Sequence, residues 1–194
     1  GYCAAQNPFP EEDFTNFESF LDSRKSRSND QFARMIQEFA EDFSSISIVA
    51  HSQGGLAALH LLNYYWSHLD NAEQVIKNKA SINGTSGDAK FRLIQSVGSP
   101  YRGTALAGSL AAIGKVFGVG CGSNTDLTHD GAERWLSTIS MDARKKVFYH
   151  TSQYKPLSWC NLAANAVLAW PNDGVTEYDY SNLDGGNPVV HLEK

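Results

Sequence analysis

Long apolar runs are missing from this chain. Its longest stretches, such as Ser45–Ala50 and Leu157–Trp170, are too short or too interrupted to cross a bilayer as a helix. Basic runs are missing too. The chain has 16 Lys+Arg against 21 Asp+Glu, a formal net charge of −5, so it offers no electrostatic footprint for nucleic acid. Cysteine is scarce. Cys3, Cys121 and Cys160 form no CxxC and lie near no paired histidines, which removes the usual metal spacings. A disulfide between Cys121, in the glycine-rich Gly118–Gly122, and Cys160 stands open beside the alternative of three independent thiols. Internal repeats, low-complexity tracts and an evident linker are also lacking. What is there is ordinary globular material. With 42% hydrophobic and 19% charged residues in a chain of 194, disorder, collagen and coiled coil are excluded. One mixed α/β domain, or the larger part of one, is expected.

The two ends carry an expectation of their own. No initiator Met, basic n-region or apolar h-region is present, so a targeting signal is expected to be removed or to lie elsewhere. The chain opens on Gly1-Tyr2-Cys3 and closes on Val189–Lys194, which reads as a strand cut in its middle. A fragment or processed form of a longer protein is expected.

Hydrophobic spacing organises the interior. Gln6-Asn7-Pro8-Phe9-Pro10 reads as loop, because proline fixes φ and lacks a donor. Phe14, Phe17, Phe20 and Leu21 recur at helical spacing. A second helix, capped by Asn29 or Asp30, carries Phe32, Met35, Ile36, Phe39 and Phe43 on one stripe. Ser45–Ala50 reads as a strand of a covered parallel sheet and Leu56–Leu62 as a helix. Further strands are expected at Phe91–Val97, Lys146–His150 and Pro188–Leu192, and helices at Thr104–Val116, Asp130–Ile139 and Asn161–Ala169. Strands alternating with helices imply a mostly parallel sheet with helices on both faces.

The chemistry is concentrated in Ala50-His51-Ser52-Gln53-Gly54-Gly55, between that strand and that helix. A serine hydroxyl is a poor nucleophile. It needs a base, an exposed position and donors for the oxyanion. A sharp strand-to-helix turn lifts Ser52 above the sheet edge and sets the Gln53 N–H at a helix N-terminus, beside the developing charge. Ala50 and Gly54, two before and two after, let strand and helix approach. The bland alternative makes Ser52 the N-cap of the helix that follows. Asp173, in Asn172-Asp173-Gly174, is the candidate orienting acid, with a plain turn as its alternative and Glu177, Asp179 and Asp184 as fallback acids. His51, His60, His68, His129 and His150 read as packed or surface histidines. The oxygen-rich run Asp179–Asn187 lacks an EF-hand pattern, so neither metal nor cofactor is expected.

In these segments the sequence resembles the α/β-hydrolase family, and within it the bacterial triacylglycerol lipases. Val49–Gly55 is similar to the lipase elbow, with Ala50 in place of its first glycine. Gly98-Ser99-Pro100-Tyr101-Arg102-Gly103-Thr104 resembles the family's Pro-His-Arg-Gly-Thr/Ser segment. Leu127-Thr128-His129-Asp130-Gly131-Ala132 resembles its Leu-Thr-x-x-Gly-Ala helix start, and Asn172-Asp173-Gly174-Val175 its acid loop. The resemblance implies an α/β-hydrolase fold over residues 1–194 that lacks its first strands here. It implies a triad of Ser52, Asp173 and His191, the last lying eighteen positions beyond Asp173, with a base past Lys194 as the alternative. Gly1-Tyr2-Cys3 resembles the His-Gly-x oxyanion loop without its histidine. Tyr2 would then give the second oxyanion N–H, opposite Gln53. Residues 104–122 fall where these lipases carry a lid, with a buried helix as the equal alternative.

The expected function is hydrolysis of carboxylic esters through an acyl-enzyme on Ser52, with an ester or lipid as substrate and transient contact with a lipid interface. Other acyl chemistries (acyltransferase, thioesterase, polyester depolymerase) share fold and triad. A non-catalytic binding module that keeps the elbow without the base is the alternative of a different class. Secretion is expected, in keeping with the disulfide such lipases carry and the sequon Asn83-Gly84-Thr85.

Overall fold

The computed structural model describes residues 17–22, 26–65, 93–107, 124–151 and 176–189. Helix α1, Asn29–Phe39, starts at a capping box: the Ser28 hydroxyl accepts from the Gln31 N–H while the Gln31 side chain accepts from the Ser28 N–H. The cap is therefore Ser28, not Asn29 or Asp30. Three adjacent residues are all good caps, and the glutamine three positions on decides between them. The helix buries Asn29, Ala33 and Ile36 and ends before Phe43. Ala33, at the centre of the buried face, lets α1 lie close on the helix after the elbow, and Phe32 and Phe39 lie at its flank. There Phe20 packs on Phe32 and Phe39 at ring-centroid distances of 5.8 and 5.3 Å. Phe17–Asp22 is not helical, contrary to the spacing of its aromatics. Packing of Phe20 on α1 needs no helical backbone here.

Strand β1, Ile48–His51, runs through Ser52 into α2, Gln53–Tyr64. Strand β2 is Ile94–Val97. A 3-10 turn at Thr125–Leu127 leads into α3, His129–Ser137, capped by the Thr128 hydroxyl. The short α4, Met141–Arg144, precedes β3, Val147–His150, and β4 is the pair Asn187–Pro188. Among the described residues the strands form a four-stranded sheet in the order β1-β2-β3-β4, every pair parallel. Apolar α2 residues Leu56, Leu59 and Leu61 are fully buried, with Ile94 and Val147 from the sheet. This is the core that holds the elbow.

The strand expected at Pro188–Leu192 begins at Asn187 and ends, among the described residues, at Pro188. Proline has no N–H for the ladder, which suits an edge. The Val189 N–H still reaches the Tyr149 carbonyl, 2.9 Å. No helix begins at Thr104; Thr104–Ala107 is turn, with the Ala107 N–H on the Thr104 carbonyl at 3.1 Å. The rest of that expected helix, the one at Asn161–Ala169, His68, all three cysteines and the sequon lie outside the described residues. Among the described residues no helix is long and apolar enough to cross a membrane.

Candidate functional site

Parallel strands bring their C-terminal ends to one edge, where open α/β sheets place their sites. Here β1, β2 and β3 finish in register, His51 beside Val97 and Val97 beside His150. The ladder runs one residue further. The Ser52 N–H donates to the Val97 carbonyl at 3.1 Å, and the Gly98 N–H to the His150 carbonyl at 3.0 Å.

Ser52 stands where β1 stops and α2 starts. Its φ of 55° and ψ of −132° make it the one non-glycine residue with positive φ among those described. Such a backbone costs on the order of 1–3 kcal/mol and persists only where its surroundings enforce it. An N-cap serine would repay its position by bonding the first turn. Ser52 occupies the N-cap position but makes no side-chain cap bond. The bland reading of this serine therefore lacks its defining interaction.

Close approach of helix to sheet enforces the turn. An ideal Cβ on Gly54 would touch only Ala50 Cβ, at 3.6 Å, an ordinary contact. There is room for the methyl that Ala50 carries where the lipase pattern has glycine. Gly55 is the tight position: a Cβ there would meet Ser96 Cβ and Ser99 Cβ at 2.9 Å. Gly55, rather than Gly54, is the glycine this packing requires.

Gln53, the candidate oxyanion donor, uses its side chain as an anchor. Its Nε2 donates to the Arg27 carbonyl at 2.8 Å and to Asn29 Oδ1 at 3.1 Å. The loop after β2 closes on the same region. Tyr101 is fully buried and donates to Ser96 Oγ at 2.7 Å; burial pushes its phenol pKa up. The Thr104 N–H bonds the Leu127 carbonyl at 2.8 Å. Gly103, at φ 87°, passes so near the backbone of Thr128 and His129 that a Cβ would lie 2.7 Å from it. The loop, the 125–127 turn and the elbow thus form one packed unit.

The remaining candidates divide. Tyr2, Asp173 and His191 lie outside the described residues, as does most of 104–122. The described chain reaches Val189 beside Tyr149, two positions before His191 in sequence. Of the fallback acids, Glu177 is buried and its Oε1 accepts from the Ala105 N–H at 3.4 Å. Asp179 and Asp184 are exposed. His129 opens α3 with Nδ1 on the Arg102 carbonyl at 3.1 Å and its ring against Tyr180. His60 is held by Trp135 and Asp30. Among the described residues no group of three or more His, Cys, Asp or Glu is placed to hold a metal.

Fold and site together define a parallel α/β protein whose sheet ends in a strained strand–serine–helix turn. The chain belongs to the family of the conditioned medium factor C-terminal domain, which it matches over residues 1–194. It is 46% identical over 190 residues to Conditioned medium factor of Dictyostelium discoideum, across 96% of this chain and 25% of that protein. The chain thus spans a quarter of that relative's length. Its structure is similar to a crystallised Bacillus licheniformis lipase in mature form, with a TM-score of 0.54 at 16% identity, over 84% of this chain and 63% of the lipase. The propeptide form gives 0.53 at 14% identity, over 85% and 35%. At such identity the likeness is one of fold.

Proposed function

We propose that this chain is an α/β-hydrolase-fold domain that cleaves carboxylic esters through Ser52. The observation that carries the reading is the Ser52 backbone: a positive φ in a serine that makes no cap bond, at the C-terminal edge of a parallel sheet. A costly conformation without local return is the mark of a held nucleophile. In this reading Ser52 Oγ adds to the ester carbonyl carbon while His191 takes its proton and Asp173 holds the imidazole. The Gln53 and Tyr2 N–H groups receive the oxyanion. The alcohol leaves with the proton from His191, and water, deprotonated by the same histidine, releases the acid. Residues 104–122 serve as a lid that meets a lipid interface. Residence outside the cell is part of the proposal, supported by the name of the Dictyostelium relative.

Substitution tests the roles. Ser52→Ala should lower ester hydrolysis by a factor on the order of 10⁴ or more. Asp173→Asn should lower kcat by several powers of ten, and sensitivity at Glu177 or Asp179 instead would move the acid there. A second reading is favoured by the relative's name, which describes a factor and no reaction. In it the domain keeps the elbow as structure and binds without turnover. Hydrolysis that disappears with Ser52→Ala excludes it.

A further inference from the structure

Five residues around the start of α2 close a ring of hydrogen bonds across three separate segments. Gln53 Nε2 donates to Asn29 Oδ1 at 3.1 Å, and the Asn29 N–H donates to Asp126 Oδ2 at 2.7 Å. The Asp126 N–H donates to Asn124 Oδ1 at 3.1 Å, and Asn124 Nδ2 donates to the Arg27 carbonyl at 2.5 Å. That carbonyl accepts Gln53 Nε2 at 2.8 Å, which returns the ring to its start. Both amide hydrogens of Gln53 are thereby used.

The ring carries one unmet group beside its five bonds. Asn29 is fully buried, yet its Nδ2 has no partner among the described residues. An unmet buried donor is costly, and an apolar residue would avoid it. What the ring does secure is geometry. It fixes the side chain of the residue whose backbone N–H follows the strained serine. It also ties that residue to the 125–127 turn, on which the loop after β2 rests. Polar rings of this kind hold a group rigid when every link is made.

We infer that Asn29 and Asp126 are positioning residues that, through the Gln53 side chain, hold the Gln53 N–H where it receives the oxyanion. This rests on the hydrolase reading of Ser52. Gln53→Met keeps the backbone N–H and the side-chain length but removes both donations. Asp126→Ala opens the ring on the far side; Asp126→Asn keeps an oxygen for the Asn29 N–H. Ser140→Ala removes the cap of α4, away from the ring, as a control for destabilisation alone.

The test is steady-state hydrolysis of p-nitrophenyl butyrate by the whole chain, with the thermal midpoint of each variant. Gln53→Met and Asp126→Ala should each lower kcat about tenfold or more, with KM changed less than twofold, since a small misplacement costs transition-state contacts most. Asp126→Asn should recover most of kcat. Ser140→Ala should lower the midpoint and leave kcat as it was. If both ring-opening variants keep wild-type kcat, or lose it only in step with the midpoint as Ser140→Ala does, the inference is overturned and the hydrolase reading stands. If Asp126→Ala fails to fold, Gln53→Met decides by the same criterion. Absence of hydrolysis by the wild type overturns the hydrolase reading, and this inference with it.

Discussion

Gly55 and Ser99 meet with no space for a side chain between them: a Cβ on Gly55 would lie 2.9 Å from Ser99 Cβ. Helix α2 and the loop leaving β2 are locked together at this point, directly behind the turn that carries Ser52. Gly55→Ala should destabilise the fold by about 1–3 kcal/mol, the usual cost of overpacking a tight site. Gly54→Ala should change stability little or raise it, because its Cβ meets only Ala50 at an ordinary distance and alanine favours helix. Urea unfolding of the two variants checks the contrast.

The backbone of Ser52 predicts a gain in stability from a loss of function. Glycine takes φ 55° without strain, and no cap bond disappears with the hydroxyl. Ser52→Gly should raise stability by about 1 kcal/mol, less whatever glycine adds to the entropy of the unfolded chain. Denaturant midpoints of Ser52→Gly and Ser52→Ala separate the terms, since alanine keeps the strain.

Acid should loosen the packing of α2 on α1 and α3. Trp135 Nε1 donates to His60 Nδ1 at 3.0 Å, so neutral His60 carries its proton on Nε2, 3.4 Å from Asp30 Oδ1. A second proton would set N–H against N–H at Trp135. Burial lowers the His60 pKa from 6.5, against the pull of Asp30 and, more weakly, Asp126, while Arg34 adds to the lowering. Tyr64 and Tyr65 also pack on the ring. The unfolded chain then binds the proton first, so stability falls as pH drops through the region below 6.5. Asp30, its pKa lowered chiefly by the Tyr65 hydroxyl, contributes stability that is lost only below 3.8. Thermal midpoints measured from pH 7.5 to about pH 5 should decline, and His60→Gln should flatten the slope.

The elbow was legible because period and punctuation agree there. A β-branched run, a serine between small residues and a Leu/Ala helix point to one turn, and β1, Ser52 and α2 form it. β2 and β3 were legible for the same reason. The ring around Gln53 was not. Asn29 and Asp126 are 97 positions apart, and a polar pair of that separation leaves no periodic trace. Gly55 was hidden beside Gly54, since only the packing of α2 on the sheet decides which of two adjacent glycines is tight. Phe17–Asp22 misled by its aromatics: Phe20 packs on Phe32 and Phe39 of α1 without a helical backbone beneath it.

Covalent capture at one atom tests the nucleophile most directly. The whole chain is treated with a fluorophosphonate and digested, and the modified peptide is located by mass spectrometry. An activated serine displaces fluoride and keeps the phosphonyl group on Oγ. A single adduct on Ser52 in the wild type, absent from Ser52→Ala, is the predicted result. No adduct, or one that survives Ser52→Ala, would contradict it.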